Sequence, residues 1–152
     1  YYRGNGAVDI IADKDYSPEK YRGRAVILYG NASTNAAWDM LLNDCPIRVE
    51  RNAVRAGVDR WEGDDLAAYF TWPLKGSNAS VGVVTGSGLK GMNAAHANQY
   101  FAGASGFPDF MIFRLHMLQS GADGVVMAGF FDNEWKITES DLIRQNKLIS
   151  RQ

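Results

Sequence analysis

The chain has 152 residues, 16 Lys+Arg against 17 Asp+Glu for a net charge of −1, and 46% hydrophobic content, which fits one ordinary domain burying roughly 70% of its unfolded surface without staples. With 12% aromatic and 22% charged residues, the composition excludes intrinsic disorder, collagen and coiled coil, and no apolar run reaches the roughly 18 residues of a membrane-span candidate. Scattered, balanced charge offers no field to gather nucleic acid or anionic lipid, and the single cysteine, Cys45, makes neither an internal disulfide nor a Cys-rich zinc cluster.

The chain opens on Tyr1-Tyr2-Arg3 rather than Met and carries no targeting segment, so a C-terminal fragment of a longer chain is expected. Residues 7–12 (AVDIIA) and 25–29 (AVILY) are short apolar runs ended by turn residues and predict strands. After the second, the polar turn Gly30 to Asn35 leads into a helix over Ala36 to Leu42, with Ser33, Thr34 or Asn35 available as cap. Alternation from Ile47 to Glu50, then Val54, then Gly57-Val58-Asp59 before Arg60-Trp61-Glu62 predicts a β-hairpin. Leu66 to Trp72 is too apolar for a surface helix and stops at Pro73, which predicts a buried strand.

Ser80 to Thr85 predicts another strand, followed by the glycine turn Gly86 to Gly91 and a helix over Met92 to Tyr100. Gly103 to Pro108 breaks the chain before a strand at Asp109 to Phe113, a short helix at Leu115 to Ser120 and a last central strand at Gly124 to Gly129. Strand–helix alternation in this order predicts a three-layer α/β fold with a mainly parallel sheet, Rossmann-like or flavodoxin-like, and an inserted β-hairpin. The expected organisation is a single domain with an N-terminal strand and linker over 1–23, a core over 24–137 and a terminal helix over 138–152. The last rests on Leu142, Ile143, Leu148 and Ile149 spaced among charges.

The motif closest to known chemistry is Gly86-x-Gly88-x-x-Gly91, placed between a predicted strand and a predicted helix, as a dinucleotide-binding turn requires. Such glycines let a pyrophosphate approach the free N–H groups at a helix start. The acidic residue that would hold a ribose is missing after the next strand, where Arg114 stands instead. A hydrolase G-x-S-x-G elbow is never completed: Ser87 and Ser105 each have one glycine displaced, and only His96 and His116 could complete a triad. Those histidines have no Cys or carboxylate cluster at metal-ligand spacing, and Asp132-Asn133-Glu134 reads as a solvated turn rather than a cation site. Asn31-Ala32-Ser33 and Asn78-Ala79-Ser80 match the glycosylation pattern. The aromatic set, from Trp61 to Trp135, predicts core filling or a face left for a neighbouring domain.

The segment Arg24 to Trp38, with Gly63-Asp64-Asp65-Leu66-Ala67, Val81 to Gly91 and Ala128 to Trp135 following in order, resembles the C-terminal region of bacterial secreted α/β-hydrolase (prolyl-oligopeptidase-like or esterase-type) multidomain proteins. The resemblance spans about residues 24–137. It implies a periplasmic or secreted protein whose hydrolase machinery lies upstream, so no catalytic residue is carried over and the partner is the upstream hydrolase domain of the same chain. The leading expectation is therefore a non-catalytic accessory domain. The alternative is a small-molecule or nucleotide-binding domain using Asn31, Ser33, Thr34, Gly86, Ser87, Gly88 and Gly91, if the two strands before these loops are neighbours. No metal, cofactor, nucleic-acid partner or membrane span is assigned.

Overall fold

The computed structural model describes residues 8–98 and 107–145. Among the described residues nine strands make two sheets. The larger contains β1 (Val26–Tyr29), β6 (Ser80–Gly86), β5 (Leu66–Pro73), β7 (Phe110–Arg114), β8 (Val125–Phe131) and β9 (Ile137–Arg144), in that spatial order. The smaller is the meander β2 (Ile47–Glu50), β3 (Ala53–Ala56) and β4 (Asp59–Glu62). Three helices accompany them: α1 (Trp38–Leu42), α2 (Leu89–Ala97) and α3 (Met117–Ser120).

This corrects the expected mainly parallel, Rossmann-like sheet. Strands hold 39% of the described residues against 19% in helices, and only β1 and β6 pair in parallel, the other pairings of the large sheet being antiparallel. The physical reason lies in β5. The β6–α2–β7 unit does leave β6 and β7 pointing the same way, but β5 sits between them and pairs antiparallel with both. From β7 to β8 the connection 115–124 is shorter than the dozen or more residues a parallel crossover needs, and the two strands pair antiparallel. The inserted hairpin is in fact three strands, with Gly57 (φ 56°) supplying the left-handed first position of the tight β3–β4 turn.

Two further expectations change. Residues 137–144 form the edge strand β9 rather than the start of a terminal helix, with Ala128 opposite Ile143 and Gly129 opposite Leu142. Adjacent apolar residues such as Leu142 and Ile143 suit either period, and pairing with β8 decides between them. Residues 8–12 form no ladder and lead into a 3-10 turn at Asp13–Asp15. The helix predicted to Tyr100 is α2, ending at Ala97, and its last two predicted positions lie outside the described residues, as do the loop positions 103–106 and residues 146–152.

Burial explains the layering. The larger cluster lies between the six-stranded sheet on one side and α1 with the small sheet on the other, and joins Trp38 and Leu42 to Ile47, Val49 and Val54, and to Phe70, Val83, Phe110 and Ile112. The opposite face carries a smaller cluster in which Ala94 and Ala95 of α2 cover Ala67, Tyr69, Val84 and Phe113. Strand β5 is buried on both faces from Leu66 to Phe70, which is why it reads as a continuous apolar run rather than an alternation. Charge closes the far side: Arg144 Nη2 of β9 lies 2.8 Å from Asp59 Oδ2 of β4 and bridges the two sheets.

The hydroxyl of Thr85, in β6, is buried with no hydrogen-bond partner. Thr85→Val keeps the β-branched shape and removes that orphan group. It should raise stability by about 1 kcal/mol, read as a higher urea midpoint at unchanged slope.

Candidate functional site

Because β1 and β6 are parallel neighbours, the loops that follow them leave the same end of the sheet. The expected juxtaposition of Gly30–Asn35 with Gly86–Gly91 is therefore present. Asn31 ties them together: it is 6% exposed, its Nδ2 donates to the Gly86 carbonyl at 2.8 Å, and its Oδ1 accepts from Ser33 N at 3.0 Å and Thr34 Oγ1 at 3.1 Å. Its own carbonyl accepts from Thr34 N and Asn35 N, both at 2.9 Å. Ser33 Oγ accepts from Arg51 N of the β2–β3 turn. With Nδ2 buried and engaged, Asn31 is no glycan acceptor in this fold, whereas Asn78 is exposed.

Ser87 is fully buried. Its Oγ donates to the Gly63 carbonyl at 2.6 Å and accepts from Leu66 N at 3.2 Å, while its backbone N–H donates to Leu66 O at 2.9 Å and its carbonyl accepts from Asn52 N at 2.7 Å. Four bonds thus hold it to β5, to the loop before β5 and to the small sheet. A nucleophilic serine needs an exposed Oγ against a base. Both histidines are exposed, His96 on α2 and His116 just before α3.

The three glycines of the turn approach protein atoms, leaving little room for a phosphate. A Cβ at Gly91 would stand 2.0 Å from Leu66 O, one at Gly86 2.3 Å from Met92 N, and one at Gly88 2.9 Å from Asp64 Cβ. At the start of α2, Gly91 N donates to Asp64 O at 3.0 Å and Met92 N to Gly88 O at 2.9 Å. Asp64 also pairs with Lys90, with Nζ 3.2 Å from the carboxylate. The β4–β5 loop therefore occupies the position over the helix start where a dinucleotide turn would hold its anion.

Sequence reasoning did not foresee the role of Asp64 and Asp65. Asp65 pairs with Arg114 at 2.7 Å, and Arg114 also donates to Glu62 O at 3.1 Å, so the arginine standing where a ribose-binding acid would be already has an internal carboxylate. The available signal was the acidic pair directly before a fully apolar strand. Asp132 likewise serves its own turn, accepting from Glu134 N and Lys136 N at 2.8 Å each. Among the described residues no group of His, Cys, Asp and Glu is arranged to hold a metal, and no helix is long and apolar enough to cross a membrane.

A cavity lies elsewhere, along β1. It measures about 800 Å³ and is walled by β1, by residues 8–13 and by Tyr16, Tyr21, Ala37 and Leu41, with Thr34 and Asn35 at its polar end. Asp13 Oδ2 accepts from Ala36 N at 2.6 Å, and that bond holds the Asp13 carboxyl below its ordinary value. Exposed apolar side chains gather here: Val8, Ile10, Ile27 and Tyr29.

A scan against protein-family models and searches of curated proteins and of solved structures find no match to this chain.

Two outcomes follow from the packing. Gly91→Ala gains about 1 kcal/mol in helix propensity but drives Cβ into the Leu66 carbonyl, and it should lose at least about 3 kcal/mol overall, measured by denaturant titration. Cys45 is half-buried against the main core, and burial pushes its thiol up to about 12. At pH 8 the thiolate is then about one part in ten thousand, so the native protein should not react with an aromatic disulfide reagent, while one thiol should titrate in urea.

Proposed function

We propose that this domain is a non-catalytic accessory module of a periplasmic or secreted bacterial hydrolase, docked on a catalytic domain carried upstream in the same chain. The observation that carries the reading is the state of Ser87, whose hydroxyl is spent on Gly63 O and Leu66 N inside the fold. The glycine turn is likewise filled by Asp64 and Leu66, so the polar end of the sheet works as a junction between elements. The resemblance over residues 24–137 supplies the hydrolase context. The apolar groups exposed around β1 supply a surface of the kind domains bury against one another.

A second reading, small-molecule or nucleotide binding at the joined ends of β1 and β6, is favoured by that juxtaposition alone. It ranks below the first because Asn31, Ser87, Asp64 and Arg114 already satisfy one another or the backbone around them.

The purified domain should fold, hydrolyse no p-nitrophenyl ester and take up no fluorophosphonate label. Stoichiometric labelling that disappears in Ser87→Ala would replace the accessory reading with a hydrolase. Thermal-shift screening against nucleotides and sugar phosphates separates the second reading, since a ligand at 100 times its Kd adds about 2.7 kcal/mol. No shift is expected. A shift abolished by Lys90→Ala would reverse the order of the two readings.

A further inference from the structure

Among the described residues the outer edge of β1 is paired with no strand, and that open edge and the segment beside it belong together. Gly30 N donates to Val84 O, which sets the parity of the β1–β6 ladder and directs the N–H and C=O of Ile27 away from β6. That is the edge facing the cavity. All four β1 residues line the cavity, as do residues 8–13, so it runs along the strand's edge rather than under one face. Residues 8–12 are extended at their end, with Ala12 at φ −69°, ψ 143°, and are rich in β-branched side chains. They leave Ile10 93% exposed and Val8 61% exposed, an apolar investment with no return where it stands.

Two anchors give this segment a direction. Asp9 is ion-paired with Arg24, just before β1, and Asp13 is bonded to Ala36, beyond the end of β1. The segment therefore runs parallel to β1 in near register. The connection from 14 to 25 has the dozen residues that a parallel return requires.

We propose that residues 8–13 are a strap that seats on the open edge of β1 as a short parallel strand, closing the cavity and capping the sheet. The occupant of the edge is thus this chain's own segment, already tethered at both ends. Seating gives the outward backbone groups of Ile27 their partners. It also turns alternate side chains to opposite faces, so that Ile11 joins Val26 and Leu28 on the core side and Ile10 joins Ile27 and Tyr29 on the other. An edge left open is a template for pairing with other chains, and the strap removes it. The strap draws on the same exposed groups around β1 that the accessory reading takes as a docking surface, but it seats within the domain itself, so its test reads the domain alone and does not depend on an upstream partner.

Amide hydrogen exchange at Ile27 tests this, in the wild type, in Ile10→Asp and in Asp13→Ala, with molecular mass followed by light scattering across a hundredfold range of protein concentration. Seating predicts slow exchange at Ile27 at every concentration, accelerated at least tenfold in both variants with the rest of the sheet still protected. With Ile10 standing in solvent, Asp at that position would change nothing. Exchange at Ile27 as fast as in an unstructured peptide, or equal in all three proteins, overturns the proposal. Protection that rises with concentration together with a doubling of mass also overturns it and assigns the edge to a second copy.

Discussion

Leu66 is the residue on which three elements converge. Its carbonyl accepts from Ser87 N, its N–H donates to Ser87 Oγ, and the same carbonyl stands where any side chain at Gly91 would go. The first residue of the central strand thereby sets where β6 ends and how closely α2 can lie on the sheet. Ser87 extends the constraint through Gly63 O and Asn52 N, and Gly63 N returns to Asn52 O at 3.0 Å, so the turn of the small sheet is fastened to the same point. A buried hydroxyl must be satisfied or it costs roughly 1–3 kcal/mol, and here satisfaction is achieved by joining both sheets to the helix.

That economy has a chemical consequence. Groups of the kinds that enzymes and nucleotide-binding folds use are present, but each is turned inward: serine to carbonyls, the arginine to Asp65, the helix start to Asp64. Polar groups paired this way rigidify a junction, with these donors and acceptors directed to partners within the fold. Capacity for interaction moves instead to the sheet's edge, where the exposed groups are apolar.

The two edges of the large sheet are managed differently. Strand β9 exposes Ile143 but also Glu139, Ser140 and Asp141, charged and polar groups of the sort that discourage edge-to-edge pairing, and Arg144 pins it to β4. Strand β1 exposes Ile27 and Tyr29 and has a tethered apolar segment running alongside it. A sheet with one edge defended by charge needs another device for the other.

Much of the organisation was legible from residue pattern alone. The strands at 25–29, 66–72, 80–85, 109–113 and 124–129, and the helices following the polar turns, lie at or within a few residues of β1, β5, β6, β7 and β8, and of α1 and α2, because burial and turn chemistry act locally. The meeting of the Asn31 and Gly86 loops was also within reach, conditional on their strands being neighbours. What local pattern does not contain is the order of strands. A run such as Leu66–Phe70, buried on both sides, is equally compatible with a parallel interior strand and with an antiparallel one inserted between β6 and β7, and only the long-range ladders choose. The glycine turn is undecided in sequence for the same reason: its spacing permits a close approach, but whether a phosphate or the Leu66 carbonyl makes that approach depends on a loop twenty-odd residues earlier in the chain. Composition and periodicity determined the central strands and the helices that follow the polar turns; tertiary structure decided their neighbours and the state of the segments at 8–12 and 137–144, because pairing partners are selected by the whole fold's burial and hydrogen bonding and not by any stretch taken singly.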